Sequence, residues 1–311
     1  MALFTSSSER STWSLALAAL LVLAVACLNN ASPDPKYDES QNAKAFWQHK
    51  VFGLADGSYD IILSGDSRIY RGLDPEQFDT TIKGTKTFNF GFSGGGHNPL
   101  IFSEIDRILN DDPARTHAVV LGITPYSLTP KAQLNAEYLD YKAKGPPASL
   151  QGIYDWFRPL SFSHLKKLAA GNTAKPSNEV YKYDENGWVR SDWTKRDKTA
   201  ELANYKANFD GNRVDQAVIE GIIRKTAEWA AQGIIVVAFR PPTTPAMLAL
   251  ENSASGFNET AFKAAFKAAG GLWVEAGQNY ETYDGSHLTP ESSEQLSKIV
   301  ASAIEAAARR H

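Results

Sequence analysis

Ser67 stands in the stretch SGDSRIY (64–70), directly after an apolar run. A serine at such a point is either a turn residue or a nucleophile. Its hydroxyl becomes a nucleophile only when an imidazole accepts its proton, and the imidazole needs a carboxylate to fix its tautomer and balance its charge. The stretch YDGSHLTPE (283–291) contains both groups. Asp284 and His287 are three residues apart, close enough to pair within one turn and meet Ser67 as a unit. Each alone reads as an ordinary turn or helix-entry residue. Jointly with Ser67 they point to acyl transfer through an acyl-serine.

Other chemistry is poorly served. Six histidines, none in a His-x-x-x-His spacing, and a single cysteine, Cys27, give no zinc constellation, and neither a metal nor a cofactor is expected. Gly94-Gly95-Gly96 lacks the Gly-Lys-Ser/Thr ending of a phosphate loop and reads instead as backbone able to approach an acyl carbonyl. His97 beside it either reaches that site or is a solvated or capping residue at a helix start. Arg68 follows Ser67, and Arg240 ends an apolar run before two prolines. Each either binds an anionic group of the substrate or orders its loop through a buried salt bridge.

These residues need elements to position them. The runs YDIIL (59–63), TKTFNF (85–90), HAVVLGI (117–123) and IIVVAF (234–239) are rich in β-branched residues and bounded by Gly, Pro or Asp. Near-continuous apolar strands of this kind suit a parallel sheet covered on both faces. Helical periodicity fills 99–109, 212–233 and 289–310, the last with Thr289 as N-cap and Pro290 at the first helical position. The alternation predicts an α/β fold, a three-layer α/β/α sandwich around a mostly parallel, flavodoxin-like central sheet. Residues 131–211 break the alternation and are dense in Tyr and Trp. With a hairpin signal at Asn186-Gly187, they are expected to form an inserted cap. Loops at the carboxyl ends of parallel strands converge on one edge, and the segments 65–68, 91–99, 122–130, 240–245 and 283–291 are the ones expected there.

That ordered set resembles the SGNH (GDSL-type) hydrolase superfamily over most of residues 59–300, through the Gly-Asp-Ser block near one end and Asp-x-x-His near the other. The resemblance implies Ser67 as nucleophile, His287 as general base and acid, and Asp284 as its orienting carboxylate. It also implies an oxyanion held by the N–H groups of Ser67 and Gly94 and by an asparagine side chain. In LGITP (121–125) Thr124 stands where that asparagine belongs. The third donor is therefore the Thr124 hydroxyl or is missing. The stretch GDSRIYRGLDP, the lost asparagine and the apolar leader are similar to a branch found with membrane-bound O-acyltransferases, which includes alginate O-acetylation and teichoic acid D-alanyl transfer proteins. That likeness implies action on an ester, an O-acetyl group, of an envelope or extracellular polysaccharide by hydrolysis or transfer, with a membrane-bound O-acyltransferase as partner. The other reading is a weakened member of the fold that binds the polysaccharide or assists assembly.

Composition sets the setting. A chain of 311 residues with 43% hydrophobic and 11% aromatic residues can fill a core, and a net charge of −3 without a basic block excludes a nucleic-acid footprint. The apolar run from Trp13 to Leu28 follows Arg10 and ends in LAVAC, which resembles a lipobox. It is either a lipoprotein signal with Cys27 as the lipidated residue or an uncleaved anchor. Residues 1–31 are thus read as leader, 32–49 as a polar spacer and 50–311 as the domain, on the extracytoplasmic side of a bacterial membrane.

Overall fold

The computed structural model describes residues 39–146 and 178–310. The chain divides into two compact units, residues 1–44 with 146–176 and residues 45–145 with 177–311. The leader, Cys27, Tyr154 and Trp156 lie outside the described residues, among which no helix is long and apolar enough to cross a membrane. The architecture below is that of the second unit.

Among the described residues there are seven strands: β1 (Ile61–Ser64), β2 (Thr87–Asn89), β3 (Ala118–Gly122), β4 (Glu179–Tyr183), β5 (Val189–Trp193), β6 (Ile235–Phe239) and β7 (Leu272–Trp273). Five form one parallel sheet in the order β2-β1-β3-β6-β7, with Ile62 paired to both Phe88 and Val119 and Val119 to Val236. This is the doubly wound order of flavodoxin-like folds, with its switch point between β1 and β3. The four strands expected from the sequence are all there, three trimmed at their ends and β1 shifted to run through Ser64. The fifth, β7, was not anticipated, because two residues carry no periodic signal.

Helices cover both faces. On one, Ile61, Leu63, Val120, Val237 and Phe239 pack against Ile69 of α2 (Ser67–Gly72), Phe78 of α3 (Pro75–Thr81) and Leu296, Val300 and Ile304 of α10 (Pro290–Ala308). Burial of each such side chain contributes about 1.5–3 kcal/mol. Right-handed crossovers place α4 (Pro99–Ile108) and α7 (Gln216–Ala231) on the other face. There Phe102 meets Trp229 edge-on, ring centres 5.4 Å apart. The helix expected from 212 begins at Gln216 because Asp215 caps it, accepting from the Ala217 N–H at 2.9 Å. Thr289 and Pro290 open α10 as expected.

The spacer expected over 32–49 does not end where composition placed it. Glu39–Phe52 forms α1, and within the α/β unit Phe46, Trp47 and Lys50 of this helix are buried. Lys50 carries its ammonium among the rings of Phe46, Trp47, Tyr70, Phe88 and Phe92, 5.2–6.0 Å from their centres, and donates to the Gly187 carbonyl at 3.0 Å. Burial pulls its pKa well below the ordinary lysine value, opposed by Glu137. A segment that looks polar by composition is therefore a clamp.

What it clamps is the β4–β5 hairpin. Asn186-Gly187 turns as the sequence indicates, with the Gly187 N–H bonded to the Asp184 carbonyl at 2.9 Å. The turn docks on the sheet, since the Asn89 N–H donates to the Asn186 carbonyl at 2.9 Å. Of the aromatic residues in the expected cap, Tyr138, Trp188 and Tyr205 are core rather than surface. Other helices of this region are α5 (Ala136–Ala143) and α6 (Leu202–Asn208). Two further helices, α8 (Pro245–Ala254) and α9 (Glu259–Ala268), lie between β6 and β7.

Gly187 is required twice over. Its φ is +88°, and a Cβ there would stand 2.2 Å from the Asn89 carbonyl oxygen. Gly187→Ala is expected to cost about 2–4 kcal/mol, combining left-handed strain with a backbone clash. Urea denaturation measures it, and an unchanged midpoint would mean that the hairpin does not dock here.

Candidate active site

Strand β1 delivers its chain end at the switch point, and the turn that follows begins α2. Asp66 caps that helix, its Oδ1 accepting from the Arg68 N–H at 3.0 Å. Ser67 thereby occupies the first helical position. Of the six residues of α2, only Ser67 and Arg71 are not fully buried.

The second block arrives from the far end of the sheet. Asp284 Oδ1 accepts from the N–H groups of Ser286 and His287 at 2.8 and 2.7 Å, which closes the turn, and Oδ2 lies 2.6 Å from His287 Nδ1. Gly285 makes the turn possible: its φ is +93°, and a Cβ would stand 2.2 Å from the Lys198 carbonyl oxygen. A carboxylate only accepts, so Nδ1 carries the proton and Nε2 is left as an acceptor. Ser67 Oγ is 2.8 Å from Nε2. The three residues expected to act together are therefore in one hydrogen-bonded chain.

Electrostatics suit that chain. Burial pushes the Asp284 carboxyl up, but the adjacent His287 ring and the two backbone donors outweigh it and leave the group below the usual carboxylate range. Burial lowers His287, Asp284 opposes it, and the Arg71 and Arg68 guanidinium groups add to the lowering. The net direction is down, so the ring is neutral at pH 7 and able to take a proton. The Tyr283 ring lies parallel to His287, 5.7 Å between centres, and holds its plane.

Two of the N–H groups expected to hold an oxyanion are unengaged. The N–H groups of Ser67 and Gly94 make no hydrogen bond to a described residue. Thr124 is a correction. Its hydroxyl is completely buried and donates to Asp66 Oδ2 at 2.6 Å, so its only proton points away from any oxyanion. The side chain beside Gly94 is instead Tyr126, whose hydroxyl is 3.9 Å from where a Gly94 Cβ would stand and has no partner among the described residues. Tyr126 follows Thr124 by only two positions, but nothing in LGITPYS indicates that the tyrosine rather than the threonine faces the glycine.

Arg68 and Arg240 are corrected as substrate-binding residues too. Arg68 Nη2 lies 2.7 Å from Glu251 Oε1, and its Nε donates to Ser286 Oγ at 2.9 Å. Arg240 Nη2 donates to Glu251 Oε2 at 2.9 Å, and its Nη1 donates to Glu259 and Asn252, each at 2.8 Å. Glu251, on α8, is wholly buried between the two guanidinium groups. The buried salt bridge, left open beside substrate binding in the sequence reading, is what these arginines form. His97 is also buried, its Nε2 donating to the Gly122 carbonyl at 3.1 Å. No group of His, Cys, Asp and Glu among the described residues is arranged to hold a metal ion.

No protein-family model matches the chain, and no curated protein does. Among solved structures it is similar to a GDSL-like lipase from Bacteroides thetaiotaomicron, at 13% identity and a TM-score of 0.40, over 86% of this chain and 98% of that one. At that identity and score the likeness bears on neither chemistry nor substrate.

Two measurements test the site as built. Glu251→Ala strands two buried guanidinium groups and is expected to lower stability by about 3–5 kcal/mol in chemical denaturation; a loss under 1 kcal/mol would show the cluster to be hydrated. His287, assigned by comparison with His287→Gln in an NMR titration of labelled histidines, is expected to titrate below about 6.5. Asp284→Asn removes the group that opposes the lowering, so the midpoint should fall further; a rise would contradict the pairing.

Proposed function

We propose that the protein is a serine esterase or O-acyltransferase of SGNH type that acts on ester groups, O-acetyl groups foremost, of an envelope or extracellular polysaccharide. The observation that carries the reading is the continuous Ser67–His287–Asp284 hydrogen-bonded chain at the switch point of the sheet. As the Ser67 oxygen attacks the ester carbonyl, His287 Nε2 takes the hydroxyl proton. The N–H groups of Ser67 and Gly94 receive the oxyanion, and the Tyr126 hydroxyl offers the side-chain donor that Thr124 does not.

The carbonyl–alkoxy bond then breaks, and His287 returns its proton to the leaving alcohol. An acyl-serine remains. Water or a sugar hydroxyl next gives its proton to His287 and attacks the acyl carbon; the bond to Ser67 breaks and Ser67 recovers a proton. Water as acceptor makes the protein an esterase and a sugar makes it a transferase. The leader and its Cys27 support an extracytoplasmic, membrane-anchored setting in which a membrane-bound O-acyltransferase supplies or consumes the acyl group.

One observation favours a second reading. The Thr124 hydroxyl is spent on Asp66, which suits a protein that keeps the fold and a polysaccharide groove without turnover. Labelling of the full-length protein in detergent with a fluorophosphonate, mapped by mass spectrometry, separates the two. Wild type is expected to label at Ser67, and Ser67→Ala and His287→Ala to stay unlabelled, with hydrolysis of 4-nitrophenyl acetate falling by about 10³-fold or more in both variants. Folded wild type that takes no label would leave the polysaccharide-binding reading standing.

A further inference from the structure

Arg71 is the one arginine of the site that the Glu251 cluster does not absorb. It lies one helical turn beyond Ser67 on α2, a spacing that puts the two side chains on the same face, roughly 5–6 Å apart at Cβ. The backbone beneath it is fixed, since its carbonyl accepts from Trp188 Nε1 at 2.9 Å and from Ser293 Oγ at 3.1 Å.

Its guanidinium is set among tyrosines. The rings of Tyr70 and Tyr181 each lie 5.3 Å from the Arg71 carbon. Nε donates to the Tyr70 hydroxyl at 3.2 Å and Nη1 to the Tyr283 hydroxyl at 2.8 Å. Tyr283 is the ring stacked on His287. The cation therefore borders both residues of the proton relay, through its own helix on one side and through Tyr283 on the other.

What the group lacks is a counter-ion. No carboxylate of a described residue lies within ion-pair distance of Arg71, in contrast to Arg68 and Arg240. Glu137 is within electrostatic reach, but its Oε2 is bonded to the Ser93 N–H at 2.5 Å. A guanidinium has five N–H donors, and hydroxyls occupy two of them. The rest form an open fork on a largely desolvated cation, the arrangement that carboxylates and other oxyanions satisfy bidentately.

We propose that Arg71 recognises an anionic group, a carboxylate, sulfate or phosphate, carried by the ester substrate one helical turn from the scissile bond. Polymers esterified on or beside acidic sugars are the class that presents such a pair. This rests on Ser67 being the nucleophile, and the experiment keeps the two ideas apart. The probes are 4-acetoxybenzoate, with an acetyl ester and a carboxylate across one ring, and its neutral methyl ester, given to the full-length protein.

Wild type is expected to favour the acid by about 10-fold or more in kcat/KM, Arg71→Gln to collapse that ratio to about one, and Arg71→Lys to restore part of it. A wild-type ratio of one or less, or a ratio unchanged in Arg71→Gln, overturns the proposal. Calorimetry with the uncleavable 4-acetamidobenzoate and its methyl ester gives the same comparison without turnover. A protein that cleaves neither ester yet binds the acid in preference, and loses the preference in Arg71→Gln, would refute the nucleophile and retain the anion site. Equal binding of acid and methyl ester would refute the anion site whatever the activity.

Discussion

The pairing of Asp284 with His287 closes inside one turn, whereas its partner Ser67 is 220 positions away in the chain. That separation is the constraint around which the structure is organised. A local pair needs only a glycine at 285 and two backbone donors to form. Meeting Ser67 to within a hydrogen bond needs the whole sheet. The parallel order β2-β1-β3-β6-β7 brings the end of β1 and the segment before α10 to one edge, and α10 packs against α2 and α3 to hold the distance. The apolar contacts of Ile69 and Leu288 in the shared core are thus as necessary to the relay as its hydrogen bonds.

Burial at that edge creates a second demand, since every charge taken out of water needs an opposite charge or several hydrogen bonds. Asp284 has two backbone donors and a histidine. Glu251 has two guanidinium groups, one from α2, the helix that Ser67 begins, and one from the end of β6, and so ties α2 to α8. Arg68 also bonds Ser286, between Asp284 and His287, so the cluster positions the histidine turn as well as the helix of Ser67. Arg71 breaks the pattern. Tyrosine hydroxyls and rings partly offset the cost of burying its charge, and they leave donors free.

Much of this was legible in the sequence and some was not, for physical reasons that differ by residue. The four long strands and the helices at 99, 216 and 290 carry periodic apolar residues and explicit caps, so local rules suffice. The meeting of Ser67, Asp284 and His287 was legible because a serine, a histidine and a carboxylate are a recognisable set, two of them at a spacing that closes a turn. Strand β7 is too short to show a period, and α1 hides Phe46, Trp47 and Lys50 in a polar stretch. The fates of Arg68, Arg240 and Thr124 depend on partners far along the chain, Glu251 on α8 and Asp66 on the turn after β1. No local pattern reports a partner's direction. Arg71 was visible as a charge near Ser67, but its lack of a carboxylate is a property of the folded state alone.

The Thr124 hydroxyl illustrates why a substituted position need not be a lost function. Asp66 directly precedes Ser67, and its carboxylate is buried. Here both of its oxygens are engaged, Oδ1 by the Arg68 N–H and Oδ2 by Thr124, in a chain that continues as Thr124 Oγ1 receives the Ser127 N–H at 3.0 Å. Ser127 follows Tyr126, so the hydroxyl that restrains Asp66 also fixes the short helix that sets Tyr126 beside Gly94. An asparagine at this position would offer an amide; the threonine instead ties Asp66, in the turn after β1, to the loop that carries Tyr126.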